Sequence, residues 1–225
     1  MKTTACKLLA ASALALVGVG SAYAGTIDLR NLPGNFNQSS WNGGGTRFYA
    51  QSFIADANVL EELRFIIGSG GVGNQYNIEI TGARVDGGGG LGFAPDFNSI
   101  FFQTGPLATV LGETVLNPNA VVGNGTRIFV VLDGLSPAGS NNTIQATQFN
   151  GPVDQYLPGE FVFSNAAYGP APSNALSWDH RSPNREDLAM LVRFGGGANN
   201  VPEPAPLALM GLGVLGLLMR RRAQS

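Results

Sequence analysis

The sequence predicts an all-β fold, an antiparallel two-sheet β-sandwich of jelly-roll type, set between two targeting segments. Three observations predict it. Short apolar runs alternate with polar residues at a period of two; clusters rich in Gly and Asn separate them; and no stretch of the body holds a helical period over a dozen residues. The 32 glycines do not indicate disorder, because aromatic and β-branched residues recur between them.

Residues 1–24 have the layout of a secretory signal peptide. Lys2 and Lys7 form a positive start, residues 8–19 an apolar core, and Ala22 and Ala24 flank Tyr23 as the small residues a signal peptidase pocket accepts. The apolar core is short for a spanning helix of about 20 residues. Cleavage is therefore expected between Ala24 and Gly25, with a secretion translocase and a signal peptidase as partners. Cys6 is the single cysteine and would leave with the leader. The mature chain would then have no disulfide, no thiolate metal site and no cysteine nucleophile.

The body is expected to form one β-sandwich domain over residues 25–194. Tyr76, Ile78 and Ile80 alternate with Asn77, Glu79 and Thr81, the pattern of a half-buried strand. Leu188, Met190, Val192 and Phe194 repeat it near the end of the body. Residues 126–132 form an apolar run suited to burial on both faces. Further strands are expected at 26–32, 47–54, 59–67, 99–103, 143–149 and 160–164, nine or so in all. Residues 59–67 are ambiguous, since Leu60, Leu63 and Ile67 also fit a helix; the flanking glycines favour a strand. Turns are expected at 42–45, 68–71, 87–90, 117–119 and 136–142, where Gly and Asn tolerate positive φ.

The charges exclude one class of partner. Residues 25–204 hold eight arginines, no lysine and all fifteen acidic residues, a formal charge of −7. A surface of this sign gains nothing from phosphate neutralisation, so nucleic acid is not expected. His180 is the only histidine. With Asp179 and Ser177 or Ser182 it could suggest a triad, but sequence neighbours rarely have triad geometry and no Gly-x-Ser-x-Gly turn occurs. It is read as a loop histidine whose replacement leaves the fold unchanged. One histidine without cysteine cannot build a zinc site.

The pairs Glu61-Glu62 and Glu186-Asp187 are read as solvated strand ends, since adjacent strand residues face opposite ways. Asp56 with Asn58, and Asp86, are candidate calcium ligands, although no EF-hand pattern is present. The glycine run 87–90 lacks the Lys and Ser/Thr of a phosphate loop. Trp41, Trp178, Tyr49, Tyr76, Tyr156 and Tyr168 could form a sugar-stacking platform or could pack inside. No catalytic residue, metal or cofactor is expected.

Residues 195–200, Gly-Gly-Gly-Ala-Asn-Asn, read as a flexible linker, and residues 201–225 as a sorting signal in three parts. Val201, Pro202, Glu203 and Pro204 come first; the prolines keep this approach extended. Residues 205–219 follow as one short transmembrane helix. Its fifteen residues reach only about 22 Å, less than the roughly 30 Å hydrocarbon core. Arg220, Arg221 and Arg222 then form a basic cluster, which the positive-inside bias places in the cytoplasm. An anchor this short suits a transient stop in the inner membrane.

This tail resembles the PEP-CTERM sorting signal of Gram-negative bacteria, in Pro202, Glu203 and Pro204, in the apolar run 207–218, and in Arg220, Arg221 and Arg222. The resemblance implies processing by exosortase, a genome that makes exopolysaccharide, and delivery to the cell surface or extracellular matrix. Tyr49-Ala50-Gln51-Ser52-Phe53, Ile78-Glu79-Ile80 and Asp187-Leu188-Ala189 are also similar to a body type found upstream of such tails, which implies no activity by itself. The expected role is a non-enzymatic surface or biofilm-matrix protein. A module that binds exopolysaccharide is the alternative, and an extracellular hydrolase comes last.

Overall fold

The structure is a computed structural model that describes residues 25–30, 36–41, 46–70, 73–86, 91–135, 142–146, 156–165, 177–180 and 187–196. Their regular structure is all β. In chain order the strands are β1 (Thr26–Asp28), β2 (Phe36–Trp41), β3 (Phe48–Ile54), β4 (Val59–Ser69), β5 (Gln75–Val85), β6 (Phe93–Gln103), β7 (Leu107–Ala108), β8 (Gly112–Leu116), β9 (Ala120–Val121), β10 (Arg127–Gly134), β11 (Asn142–Ala146), β12 (Phe161–Ser164), β13 (Asp179–His180) and β14 (Met190–Gly195). Two antiparallel sheets result. The first runs β1-β14-β4-β11-β2, with β8 and β9 also on β4; the second runs β13-β12-β3-β10-β5-β6, with β7 on β5. The expected antiparallel two-sheet arrangement is present. The signal peptide and the transmembrane helix lie outside the described residues.

The main core fills the space between the sheets. The first sheet contributes Leu60, Leu63, Phe65, Ile67, Ile144, Met190, Val192 and Phe194; the second contributes Tyr49, Phe53, Tyr76, Ile78, Ile80, Ile128, Val130, Leu132 and Phe161. Strand β10 pairs with β3 on one side and β5 on the other. Its Ile128, Val130 and Leu132 face the main core, while Phe129 and Val131 enter a second cluster on the outer side of the sheet. That accounts for the uninterrupted apolar run, which is buried on both faces.

Strand β4 explains the ambiguous spacing of Leu60, Leu63 and Ile67. Leu63, Phe65 and Ile67 keep strict alternation, but Leu60 is also in the core. The register against β14 shifts between Arg193, opposite Glu62, and Phe194, opposite Leu60, so Glu61 is an extra residue. A bulge of this kind reverses the alternation. It also corrects the expectation that Glu61 and Glu62 are solvated and face apart. Both reach Arg193, Glu62 at 2.8 Å and Glu61 at 3.8 Å, and Glu62 is buried.

Strands β2, β7, β8, β9 and β13 were not expected, and β6 is longer than expected. Most are short segments made into strands by a long neighbour. β8 and β9 both lie along β4, and β7 lies along β5.

Among the described residues, two of the polar contacts that join the sheets lie deep in the apolar interior. Trp41 Nε1 donates to the Leu132 carbonyl at 3.2 Å, joining β2 to β10. The second is built on Gln51, which lies between Tyr49 and Phe53 on the core face of β3 and is fully buried. Its Nε2 donates to Asp187 Oδ1 at 2.7 Å, and its Oε1 accepts from the Leu188 amide at 2.8 Å. Asp187 is therefore an internal group and not the solvated strand end expected.

Gln51→Leu would leave a buried carboxylate and an amide without this partner. It is expected to destabilise the fold by about 3 kcal/mol, roughly 6–12 °C in thermal midpoint. Gln51→Leu/Asp187→Leu should recover part of that loss in thermal unfolding, because removing both partners spares the buried charge.

Candidate functional site

The outer face of the second sheet carries two largely buried groups of polar and charged side chains. Along β10 this face presents Arg127, Phe129, Val131 and Asp133 in turn. Phe48, Ala50 and Val162 flank the two apolar residues, and Ala94, Trp178, Phe93 and Phe97 cover them. Trp178 lies against Phe97 at 6.3 Å and Phe48 at 6.0 Å between ring centroids. A polar group stands at each end of this apolar patch.

At one end Arg47 grips Asp133 with both arms of its guanidinium, Nε to Oδ1 at 2.7 Å and Nη2 to Oδ2 at 3.2 Å. Glu79 on β5 stands beside them, and its Oε1 accepts from Gln103 Nε2 at 2.9 Å. Glu79 Oε2 is buried with no hydrogen-bond partner. Burial, and then repulsion from Asp133, push the Glu79 carboxyl from 4.5 up to about 7, against the opposing pull of Arg47 and Gln103. Burial also raises Asp133, opposed by Arg47. A protonated carboxyl beside an ionised one is a pairing used for acid catalysis. Here both side chains are 1% exposed, which keeps them from a substrate.

At the other end His180 on β13 bridges two carboxylates. Nδ1 is 3.2 Å from Glu160 Oε2 and Nε2 is 3.2 Å from Asp86 Oδ2. Both are hydrogen bonds at once only when both ring nitrogens carry protons or a carboxyl supplies one. Asp86 also accepts from Arg84 at 2.9 Å, and Glu160 Oε2 accepts from the Leu91 amide at 2.9 Å. Ser52 Oγ accepts from the Glu160 amide and from Arg127. The group thus pins the far end of the β5–β6 hairpin to the sheet.

The reading of His180 as a loop residue is corrected. It belongs to a strand, and its side chain is 2% exposed. A buried histidine held by two partners on other strands has no local sequence signal. With both nitrogens facing carboxylates, the ring has none left to activate Ser177. Ser182 lies outside the described residues.

The other candidates separate. Asp86 is committed to Arg84 and His180. Asn58 Oδ1 accepts from the Asn124 amide, and the Asn58 carbonyl accepts from Val122 and Gly123. Asp56 lies instead against Gly25. Among the described residues no three His, Cys, Asp or Glu side chains are grouped to hold a metal ion. Trp41, Tyr49, Tyr76 and Trp178 are buried. Tyr156 is half-buried, and its hydroxyl accepts from the Ile54 amide at 3.0 Å. The described members of the aromatic set thus serve packing and present no platform among the described residues; Tyr168 lies outside them. So do Ala22, Ala24, Val201, Pro202, Glu203, Pro204, Arg220, Arg221 and Arg222, and of the sorting and cleavage positions only Gly25 is described.

One open feature was missed in the sequence. A groove of about 300 Å³ beside β12 and β13 is lined by Ser164, Asn165, Ser177 and Asp179. Thr46 donates to Asn165 Oδ1 at 2.7 Å, and Ser164 donates to the Ser177 carbonyl at 2.8 Å. Ser177 and Asp179 are exposed. Such small polar residues read as turn formers, which hides any grouping.

The chain is thus a β-sandwich domain joined to a C-terminal sorting segment. That segment is the PEP-CTERM protein-sorting motif, whose family description matches residues 200–222. No curated protein matches the sequence. Among solved structures, the cysteine protease and lectin-like domains of Cwp84, a surface layer associated protein of Clostridium difficile, are similar. The identity is 12% and the TM-score 0.50, over 79% of this chain and 37% of that one. This chain therefore spans little more than a third of that structure, and the likeness is one of fold. The Yersinia pseudotuberculosis-derived mitogen is 13% identical with a TM-score of 0.29, over 59% of this chain and 93% of that one.

Two expectations follow from the polar groups. The Glu79 carboxyl has a folded value near 7, above its ordinary 4.5. Its contribution to stability is therefore complete below about pH 4.5 and is lost as pH rises through about 7. The change is on the order of 3 kcal/mol. Denaturant midpoints measured from pH 4 to 8 should show this fall, and Glu79→Gln should flatten it. His180→Ala would leave the buried Glu160 and the half-buried Asp86 without their bridge. It is expected to cost about 3 kcal/mol or more in thermal unfolding, in contrast to the neutral effect that a loop position implies.

Proposed function

We propose that this chain is an exported, non-enzymatic surface or biofilm-matrix protein, processed by exosortase at its C-terminal tail. The match of residues 200–222 to the PEP-CTERM protein-sorting motif carries the reading. The leader layout of residues 1–24 supports it. In this reading the apolar run 205–219 is a transient transmembrane helix in the inner membrane. Arg220, Arg221 and Arg222 hold its end in the cytoplasm, and Pro202, Glu203 and Pro204 stand extended at the outer face, where exosortase meets a backbone free of helix. The burial of Glu79, Asp133 and His180 favours a non-enzymatic body.

A second reading, a module that binds exopolysaccharide, is favoured by the groove at Ser164, Asn165, Ser177 and Asp179. Its hydroxyl, amide and carboxylate groups suit the hydroxyls of a sugar. The fold it shares with a structure described as containing lectin-like domains is compatible with this reading. Glycan-array binding by the exported protein, lost in Asp179→Ala, would establish it.

The processing reading is tested on the tail. Mass spectrometry of the extracellular form should find a C-terminus lacking Arg220, Arg221 and Arg222. Replacing Pro202, Glu203 and Pro204 with Ala should trap full-length chain at the inner membrane. Surface protein with an intact C-terminus would overturn the proposal.

A further inference from the structure

Gly25 is the residue at which export is expected to open the chain, and its surroundings are unusual. It directly precedes β1, and its carbonyl accepts from the Phe194 amide of β14 at 2.8 Å. A Cβ built on Gly25 would overlap Asp56 Oδ2 and lie 2.5 Å from Asp56 Cγ. A side chain at Gly25 would have to push this carboxylate, which comes from the turn between β3 and β4, aside. The nitrogen of Gly25 sits about 2.5 Å from that Cβ position. It therefore lies no more than about 4.2 Å from Asp56 Oδ2, at the outer edge of ion-pair range.

Cleavage changes what that nitrogen is. Water adds across the Ala24–Gly25 peptide bond. The C–N bond breaks, Ala24 leaves as a carboxylate, and the nitrogen of Gly25 takes up the protons to become an ammonium. An amide is replaced by a full positive charge beside Asp56. The sequence makes this charge singular. Lys2 and Lys7 are the only lysines and both lie in the leader, so the mature chain contains one amine, at Gly25.

We infer that Asp56 is the receptor for the new α-ammonium, and that signal cleavage completes the fold by pinning the start of β1 to the β3–β4 turn. The inference rests on the reading of residues 1–24 as a cleaved leader. Glu61 is a second carboxylate at this end of β14. A Cβ on Gly195 would meet it, and it already faces Arg193 at 3.8 Å.

The test uses the exported protein. N-terminal sequencing comes first: a chain that does not begin at Gly25 sinks the cleavage reading and with it this inference. If it begins there, acetylation with an N-hydroxysuccinimide ester modifies the single amine and removes its charge. Acetylation of the unmodified sequence should lower the thermal midpoint by about 1–3 °C. Asp56→Asn should show that lower midpoint without acetylation and should not respond to it. Gly25→Ala, still cleavable because alanine is small, should push the carboxylate aside and be equally unresponsive. Glu61→Gln should keep the full response. A response that survives Asp56→Asn, or no response in the unmodified sequence, would overturn the docking of the ammonium while leaving the cleavage reading intact.

Discussion

The hydrogen-bond pair made by Gln51 across the interior governs how the two sheets meet. Apolar contact is not directional, so two greasy faces alone would tolerate several offsets. An amide fully buried between Tyr49 and Phe53 does not, because any offset strands its donor, its acceptor and the Asp187 carboxylate together. The same contact sets where β14 begins. Gln51 holds Asp187 and Leu188, Leu188 bridges to Ala146 of β11, and Ala189 donates to the Gln145 carbonyl at 2.8 Å. From that fixed start β14 runs between β1 and β4. The segments Tyr49-Ala50-Gln51-Ser52-Phe53 and Asp187-Leu188-Ala189 therefore belong together for a structural reason: one supplies the amide and the other its partners.

The second sheet has a different constraint. β10 is apolar on both sides, so its outer face must be covered too. The β5–β6 hairpin and Trp178 provide the cover, and a charged group fastens each end. The Arg47–Asp133 pair with Glu79 stands at one end, and His180 with Asp86 and Glu160 at the other. These ion pairs contribute position more than net stability, since the desolvation of each charge offsets much of its attraction.

How much of this was legible depended on whether a residue's role is local. Tyr76, Ile78 and Ile80 declare a strand by alternation alone, and the apolar run of β10 declares double burial. Asn119, within the expected turn at 117–119, does adopt positive φ, at 48°. The bulge at Glu61 was visible only as a confusion between periods of 2 and 3.6, because one inserted residue shifts Leu60 out of step with Leu63. Strand β8, with the sequence Gly-Glu-Thr-Val-Leu, has no strong pattern; its place beside residues 63–67 of β4 makes it a strand. His180 and Trp178 were opaque for a related reason. Their partners, Asp86, Glu160, Phe48 and Phe97, are roughly 20 to 130 residues away in sequence, and nothing near them announces burial.

Strand β14 ends at Gly195, and the chain then runs on into the sorting motif. Its register pairs it with β1 over Thr26–Asp28 on one side and with β4 from Val59 to Phe65 on the other. Consider a pull on Gly195 directed along the axis of this strand. Its ladder hydrogen bonds lie across that axis, so they are loaded together and must fail together. A strand peeled sideways would lose them one by one. A force applied at Gly195 along β14 would therefore load these pairings in shear rather than peel them.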